Sequence, residues 1–259
     1  MKRISLTKDE LEGLETALIE FGSVVTFDQL SSLFQENREY TRKRISKLVN
    51  QGWLKRIKKG VYVISDFGSR GSLSISHNAV VNILVAEAYI SFESALQVHG
   101  LYDQLLTQVN AISLSSYKTT TIDGITYKFI KTQPRYFYGW ETHEFDGQAV
   151  KVASVEKALV DLIQFYRSRY STDLVLEKLL VFQNDIRHKV LIEYTLKANL
   201  TTRRIMGFLM DIAGLDSDRL HASVLNRQSV SSISNSQDSL YNHKWKLYYD
   251  PHLEKYFNE

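Results

Sequence analysis

The run "NQGWLKRIKKGVYVI", Asn50 to Ile64, limits the possible folds of this chain more than any other stretch. Two β-rich runs flank Lys58, Lys59 and Gly60, and glycine supplies the positive φ that a tight hairpin needs. Three helical patterns precede it. Thr7 stands three residues before Glu10, a capping-box spacing, and Leu11, Leu14, Leu18 and Ile19 follow on one helical face. "TFDQLSSLF" reads as a second helix with Thr26 or Asp28 as its cap. "REYTRKRISKLVNQ" reads as a third. Its buried stripe is Ile45, Leu48 and Val49, extended by Thr41, and Gly52 ends it. Three helices and then a basic hairpin is the order of a winged helix-turn-helix.

Charge gives that arrangement a direction. The chain's net charge is only +3, yet between Arg38 and Lys59 there are nine Lys or Arg and one acid, Glu39. That segment is +8, which leaves −5 for the rest. Tyr40, Lys43, Arg44 and Lys47 are expected on the side of helix three away from its stripe, and Arg56, Lys58 and Lys59 on or beside the wing. With Thr41 and Arg42 these are the candidate DNA contacts. Lysine and arginine neutralise phosphates and release counterions, and arginine can grip guanine with two hydrogen bonds. One basic helix by itself would read as a solvated face. Recurrence of the charge in the hairpin behind it favours double-stranded DNA as partner.

"DFGSRGSLS", Asp66 to Ser74, is polar and rich in Gly and Ser, and reads as a connection between domains. The expected division is residues 1–66 for the winged helix-turn-helix, 67–76 for a linker and 77–259 for a larger α+β domain. In that second domain "NAISLSS", "GITYKFIK" and "AVKVAS" read as strands. Asp123–Gly124 and Asp146–Gly147 read as turns, and helices follow from Ser154 onward. "SVSSISNSQDS", Ser229 to Ser239, reads as a surface loop. With 44% hydrophobic and 24% charged residues the composition is that of a soluble globular protein. The chain has no cysteine, so disulfides and thiolate metal sites are excluded. No apolar run is long enough to span a membrane, and the first residues lack a secretory apolar region, so a cytoplasmic location is expected.

Enzymatic readings fail on spacing. "YISFESALQVHGL", Tyr89 to Leu101, places Ser91, Glu93, Ser94 and His99 within nine residues. A structural role is expected for this stretch, with Ser91 as N-cap, Glu93 in the first turn, His99 in the last turn and Gly100 closing the helix. No G-x-S-x-G surrounds either serine. A restriction-type nuclease needs Asp/Glu-x-Lys, which occurs nowhere in the chain. "FGSRGS" superficially resembles a glycine-serine phosphate loop, but the Asp216-Ser217-Asp218 pair lies about 145 residues away, against roughly a dozen in the nucleotidyltransferase family it resembles. The seven histidines are scattered, without the i, i+4 spacing of a helical zinc site. No catalytic residue, metal or cofactor is expected.

Four segments together resemble the AbiEi antitoxin family. They are "YISFESALQVHGL", "VKVASVEKALVDLI", "RRIMGFLMDIAGL" with the closing "HKWKLYYDP", and the winged-helix run "NQGWLKRIKKGVYVI". The resemblance spans nearly the whole chain. One departure is Val155, where many members carry proline before Glu-Lys-Ala. Proline is favoured in a first helical turn but not required. The resemblance implies a bacterial abortive-infection toxin–antitoxin system. In it the antitoxin binds its own promoter and represses its operon, and it counteracts a nucleotidyltransferase-like toxin without a stable complex. It also implies that the C-terminal region neutralises the toxin and can assist in DNA binding. Arg203 and Arg204 are candidates for either role, beside the plainer reading of solvated helix charges. Behind this reading stand a winged-helix regulator with no toxin partner and, further back, a DNA-acting enzyme.

Overall fold

The computed structural model describes residues 6–66, 68, 73–233 and 239–257. Half of the expected linker and the middle of the Ser-rich stretch, residues 67, 69–72 and 234–238, lie outside the described residues, as does all but Gly68 of "FGSRGS". Helices and strands are mixed as an α+β protein, and the chain divides into two compact units.

The first unit comprises Met1–Ala86, Thr119–Tyr127 and Glu144–Val150. It opens with α1 (Lys8–Phe21), β1 (Val24–Thr26), α2 (Phe27–Phe34), α3 (Arg38–Asn50), β2 (Leu54–Lys58), β3 (Val61–Ile64) and α4 (His77–Leu84). Thr7 and Thr26 each close a full capping box, with Glu10 and Gln29 respectively. Strands β1, β3 and β2 form a three-stranded antiparallel sheet in that order. The helices and sheet enclose Leu14, Ala17, Val25, Leu30, Ile45, Leu48, Trp53, Leu54, Tyr62 and Ile64. Two expected core residues are outside it: Leu11 is exposed and Ile19 is 85% exposed. Helix α1 is rolled so that Glu10, Leu14 and Ala17 face inward, with Gly13 against the Phe34 ring.

The remaining elements are β4 (Ala88–Ile90), α5 (Phe92–Val98), β5 (Gln108–Ser113), β6 (Thr120–Ile122), β7 (Ile125–Lys131), β8 (Trp140–Phe145), β9 (Gln148–Ala153), α6 (Val155–Phe165), α7 (Arg169–Val181), α8 (His188–Lys197), α9 (Leu200–Ile212), α10 (Asp218–Val224), β10 (Ser231–Ser232), β11 (Leu240–Asn242) and β12 (Leu247–Tyr249). A six-stranded mixed sheet runs in the order β6-β7-β5-β4-β9-β8. The expected turns are where the sequence puts them. Asp123–Gly124 and Asp146–Gly147 both have positive φ at each residue, as a type I′ hairpin turn requires. Those two hairpin tips cluster with the first unit, where the Asp123 carboxylate pairs with Lys55 and accepts from the Leu73 N–H.

The second unit is Glu87–Lys118, Lys128–His143 and Lys151–Glu259. Its centre is α6, which is buried nearly all round, Glu156, Lys157 and Asp161 included. A second fixed point is Trp245, fully buried against Gly207 of α9. A methyl group there would stand 2.0 Å from the indole ring, so only glycine admits this packing.

Candidate nucleic-acid interface

Asn37 caps α3, its Oδ1 accepting from the Glu39 and Tyr40 N–H groups at 3.1 and 3.0 Å. Thr41, Ile45 and Leu48 are buried, which fixes the rotation of the helix about its axis. Thr41 therefore does not face outward: its Oγ1 donates to the Asn37 carbonyl at 3.1 Å. Arg42, Lys43, Ser46, Lys47 and Asn50 are exposed and, with Gln51, line a shallow open concavity. Ser46 and Asn50 were not among the expected contacts. The signal for them was present: both lie well away from Thr41 and Leu48 at 100° per residue.

The cations on this helix differ in how committed they are. Lys47 Nζ donates to Glu10 Oε1 at 2.7 Å, and the Glu10 side chain is 4% exposed. Burial raises the Glu10 carboxyl, but hydrogen bonds from Lys47 and Thr7 outweigh it and hold the group below the usual carboxylate range. Arg44 pairs with Glu36 at 2.7 Å, both only about a quarter exposed, and its guanidinium lies 4.7 Å from the Phe34 ring centre. Lys43 meets Glu39 at 2.8 Å, with both side chains about 70% exposed. Such a pair is worth at most about 1 kcal/mol and gives way readily. Tyr40 is 62% exposed, and Arg42 has no ion-pair partner among the described residues.

Behind α3 stands the wing. Gly60 has φ +74°, and the β2–β3 register shifts between Arg56 and Lys58. Arg56 and Lys59 are exposed; Lys58 is half-buried, with Nζ 3.4 Å from the Leu84 carbonyl. Among the described residues none of the three has a carboxylate partner. The expected set thus divides. Arg42, Lys43, Arg56 and Lys59 are available to a polyanion. Arg44 and Lys47 hold α3 in place, and Thr41 belongs to the core.

In the stretch from Tyr89 to Leu101, Ser91, Ser94 and His99 each have a partner outside α5. Ser91 occupies the N-cap position of α5, but its hydroxyl makes no cap bond; it donates instead to Asp161 Oδ2 at 2.8 Å. This corrects the expected capping role, and the reason is the buried carboxylate behind it. Asp161 also accepts from Tyr89 OH at 3.1 Å and pairs with Lys157. Burial, followed by the nearby Asp161 carboxylate, keeps the Tyr89 phenol well above its usual pKa and so a donor. Ser94 Oγ accepts from the Asn110 N–H at 3.0 Å, and His99 Nε2 lies 2.8 Å from the Ala153 carbonyl. Glu156 binds the Arg187 guanidinium and its backbone N–H at 2.9–3.0 Å. Asp216 and Asp218 mark a helix start, the Asp218 N–H donating to Asp216 Oδ1. Arg204 is fully buried and donates to Ser231 and the Arg227 carbonyl, so it is no solvated charge. Arg203 lines a concavity with Arg135, Lys197 and Arg227. No helix among the described residues is long and apolar enough to cross a membrane.

Residues 15–65 match the family described as transcriptional regulator, AbiEi antitoxin. Among solved structures the chain is similar to the crystal structure of the RV2827C protein from Mycobacterium tuberculosis. The TM-score is 0.67 at 14% identity, over 98% of this chain and 96% of that one, a likeness of fold alone. No curated protein matches the chain.

Proposed function

We propose, from the premise that residues 15–65 carry the winged helix of the AbiEi antitoxin transcriptional regulators, that this protein represses its own operon and counteracts a nucleotidyltransferase-like toxin. In this reading residues 1–66 bind promoter DNA and residues 77–259 neutralise the toxin, with 67–76 between them. Neutralisation proceeds without a stable complex, in the cytoplasm, and the protein is not an enzyme. The observation that supports DNA binding is the exposed outer face of α3, Arg42, Lys43, Ser46 and Asn50, in one compact unit with Arg56 and Lys59 of the wing. Helix three would enter the major groove and the wing would touch flanking phosphates.

The test is a salt series on the protein's own promoter. Each phosphate contact contributes about 0.9 log unit of affinity per log unit of salt. The Arg42/Lys43/Lys59 triple alanine is expected to lose about two to three contacts' worth of slope. Equal slopes would reduce the basic face to a solvated one. The toxin half has its own readout. The triple alanine, expressed from an unrelated promoter, should still rescue cells making the adjacent toxin, and the two purified proteins should elute separately.

A further inference from the structure

We infer that the base-reading edge of α3 is Arg42, Ser46 and Asn50, and that Arg44 and Lys47 are positioning residues; this rests on the DNA-binding reading above. Charge alone favours Arg44 and Lys47, because both belong to the basic stripe. Their partners remove them. To reach a base, Lys47 would leave the Glu10 carboxylate buried and unpaired, 4% exposed. Arg44 would leave both the Glu36 carboxylate and the face of Phe34. Arg42 has no such pair to break: it is exposed and lines the concavity with Ser46 and Asn50.

These three residues form an i, i+4, i+8 series, so they stand one above another along a single edge of the helix. Their chemistry fits base edges. Arginine meets guanine O6 and N7 with two hydrogen bonds, asparagine meets adenine N6 and N7, and serine accepts either. Eight residues of helix rise about 12 Å. At 3.4 Å per base step along a strand that is about three or four steps. The half-site should therefore contain a guanine read by Arg42 and an adenine read by Asn50 about that far apart. Lys43, released from its exposed pair with Glu39, serves a phosphate.

Selection of binding sites from a randomised duplex pool by the full-length protein tests this. The wild type should enrich a guanine and an adenine at that spacing. Arg42→Lys keeps the charge but loses the two-toothed grip. It should lower discrimination at the guanine about 5- to 150-fold while leaving the salt slope unchanged. Asn50→Ala should relax the adenine position only. Arg44→Lys should leave the selected sequence unchanged, and the Glu10→Gln/Lys47→Met pair, which removes both clamp charges together, should select the wild-type site. Circular dichroism confirms that each variant is folded. If Arg44→Lys or the double variant erases preference at one position while Arg42→Lys does not, the assignment is overturned. If the wild type binds no duplex even at low salt, the DNA-binding reading itself has failed.

Discussion

Lys43 and Lys157 each sit four residues from an acid on a helix, and in each case the ammonium meets that acid, Glu39 at 2.8 Å in the first unit and Asp161 in the second. By spacing the two pairs are twins. The first has side chains 69% and 73% exposed, the second 1% and 0%. In water the pair is a loose association that a phosphate can replace. Inside, each partner is the other's main compensation for lost hydration, and Ser91 and Tyr89 complete the shell around the carboxylate. Lys43 is therefore a surface reagent of the first unit, and Lys157 is part of the second unit's core. The motif residues that make "SVEKALVD" resemble a family signature prove to be an internal frame. Ser154 caps α6, Glu156 holds Arg187, and Lys157 and Asp161 join α6 to β4 and to the start of α5.

The largest effect should come from separating the twins. Lys157→Met strands Asp161, whose carboxyl is already raised by burial, and should cost about 3–5 kcal/mol by urea denaturation. Lys43→Met should cost less than about 1 kcal/mol and should weaken DNA binding instead. Replacing both members, as Lys157→Met with Asp161→Leu, should recover much of the loss. Comparable small costs for the two single variants would break the contrast.

Ser91 sharpens it at a middle scale. A lost N-cap costs about 1 kcal/mol, whereas a lost hydrogen bond to a buried charged group costs about 1.5–3 kcal/mol. Ser91→Ala is expected in the second range. Ser91→Asp separates the readings more cleanly. Aspartate is a good N-cap, yet here it would face the Asp161 carboxylate, so it should be worse than alanine. An Asp variant as stable as wild type would restore the capping role.

These outcomes bear on what a sequence can disclose. Caps at Thr7 and Thr26, the helix start at Ser154, the Asp-Gly turns and the three-helix-plus-wing order were legible because each depends on residues within a few positions of one another. Strand β1 was not, since three residues, Val24–Thr26, gain strand character only by pairing with β3. Strand β4 was likewise invisible, three residues completed by β5 on one side and β9 on the other. The candidate site was half legible. Basic residue types and their helix could be read, but which cations are free depends on Glu10 and Glu36, 37 and eight positions away from their partners in sequence. Ser91 shows the same limit, because its partner Asp161 is 70 residues distant.

The smallest predicted effect concerns pH and the Glu10–Lys47 clamp. Glu10 has a carboxyl held below its ordinary value in the folded protein. A depressed carboxyl contributes stability that is present above its unfolded pKa and lost as pH falls through the folded one. In the first unit this loss should begin near the ordinary carboxylate value of about 4.3 and deepen below it. Glu156 and Asp123 are also depressed, so the wild type alone would show a sum of several groups. A comparison with Glu10→Gln cancels them, because both proteins carry the rest unchanged. Glutamine still accepts a hydrogen bond from Lys47 but has no charge to lose. The stability gap between wild type and Glu10→Gln should therefore be constant near neutral pH and close as pH drops into the carboxylate range. Measured by urea denaturation from pH 7 to pH 3, a gap that stays constant throughout would show that Glu10 and Lys47 do not act as an ion pair in solution. Lys47 would then return to the group of cations free to meet DNA.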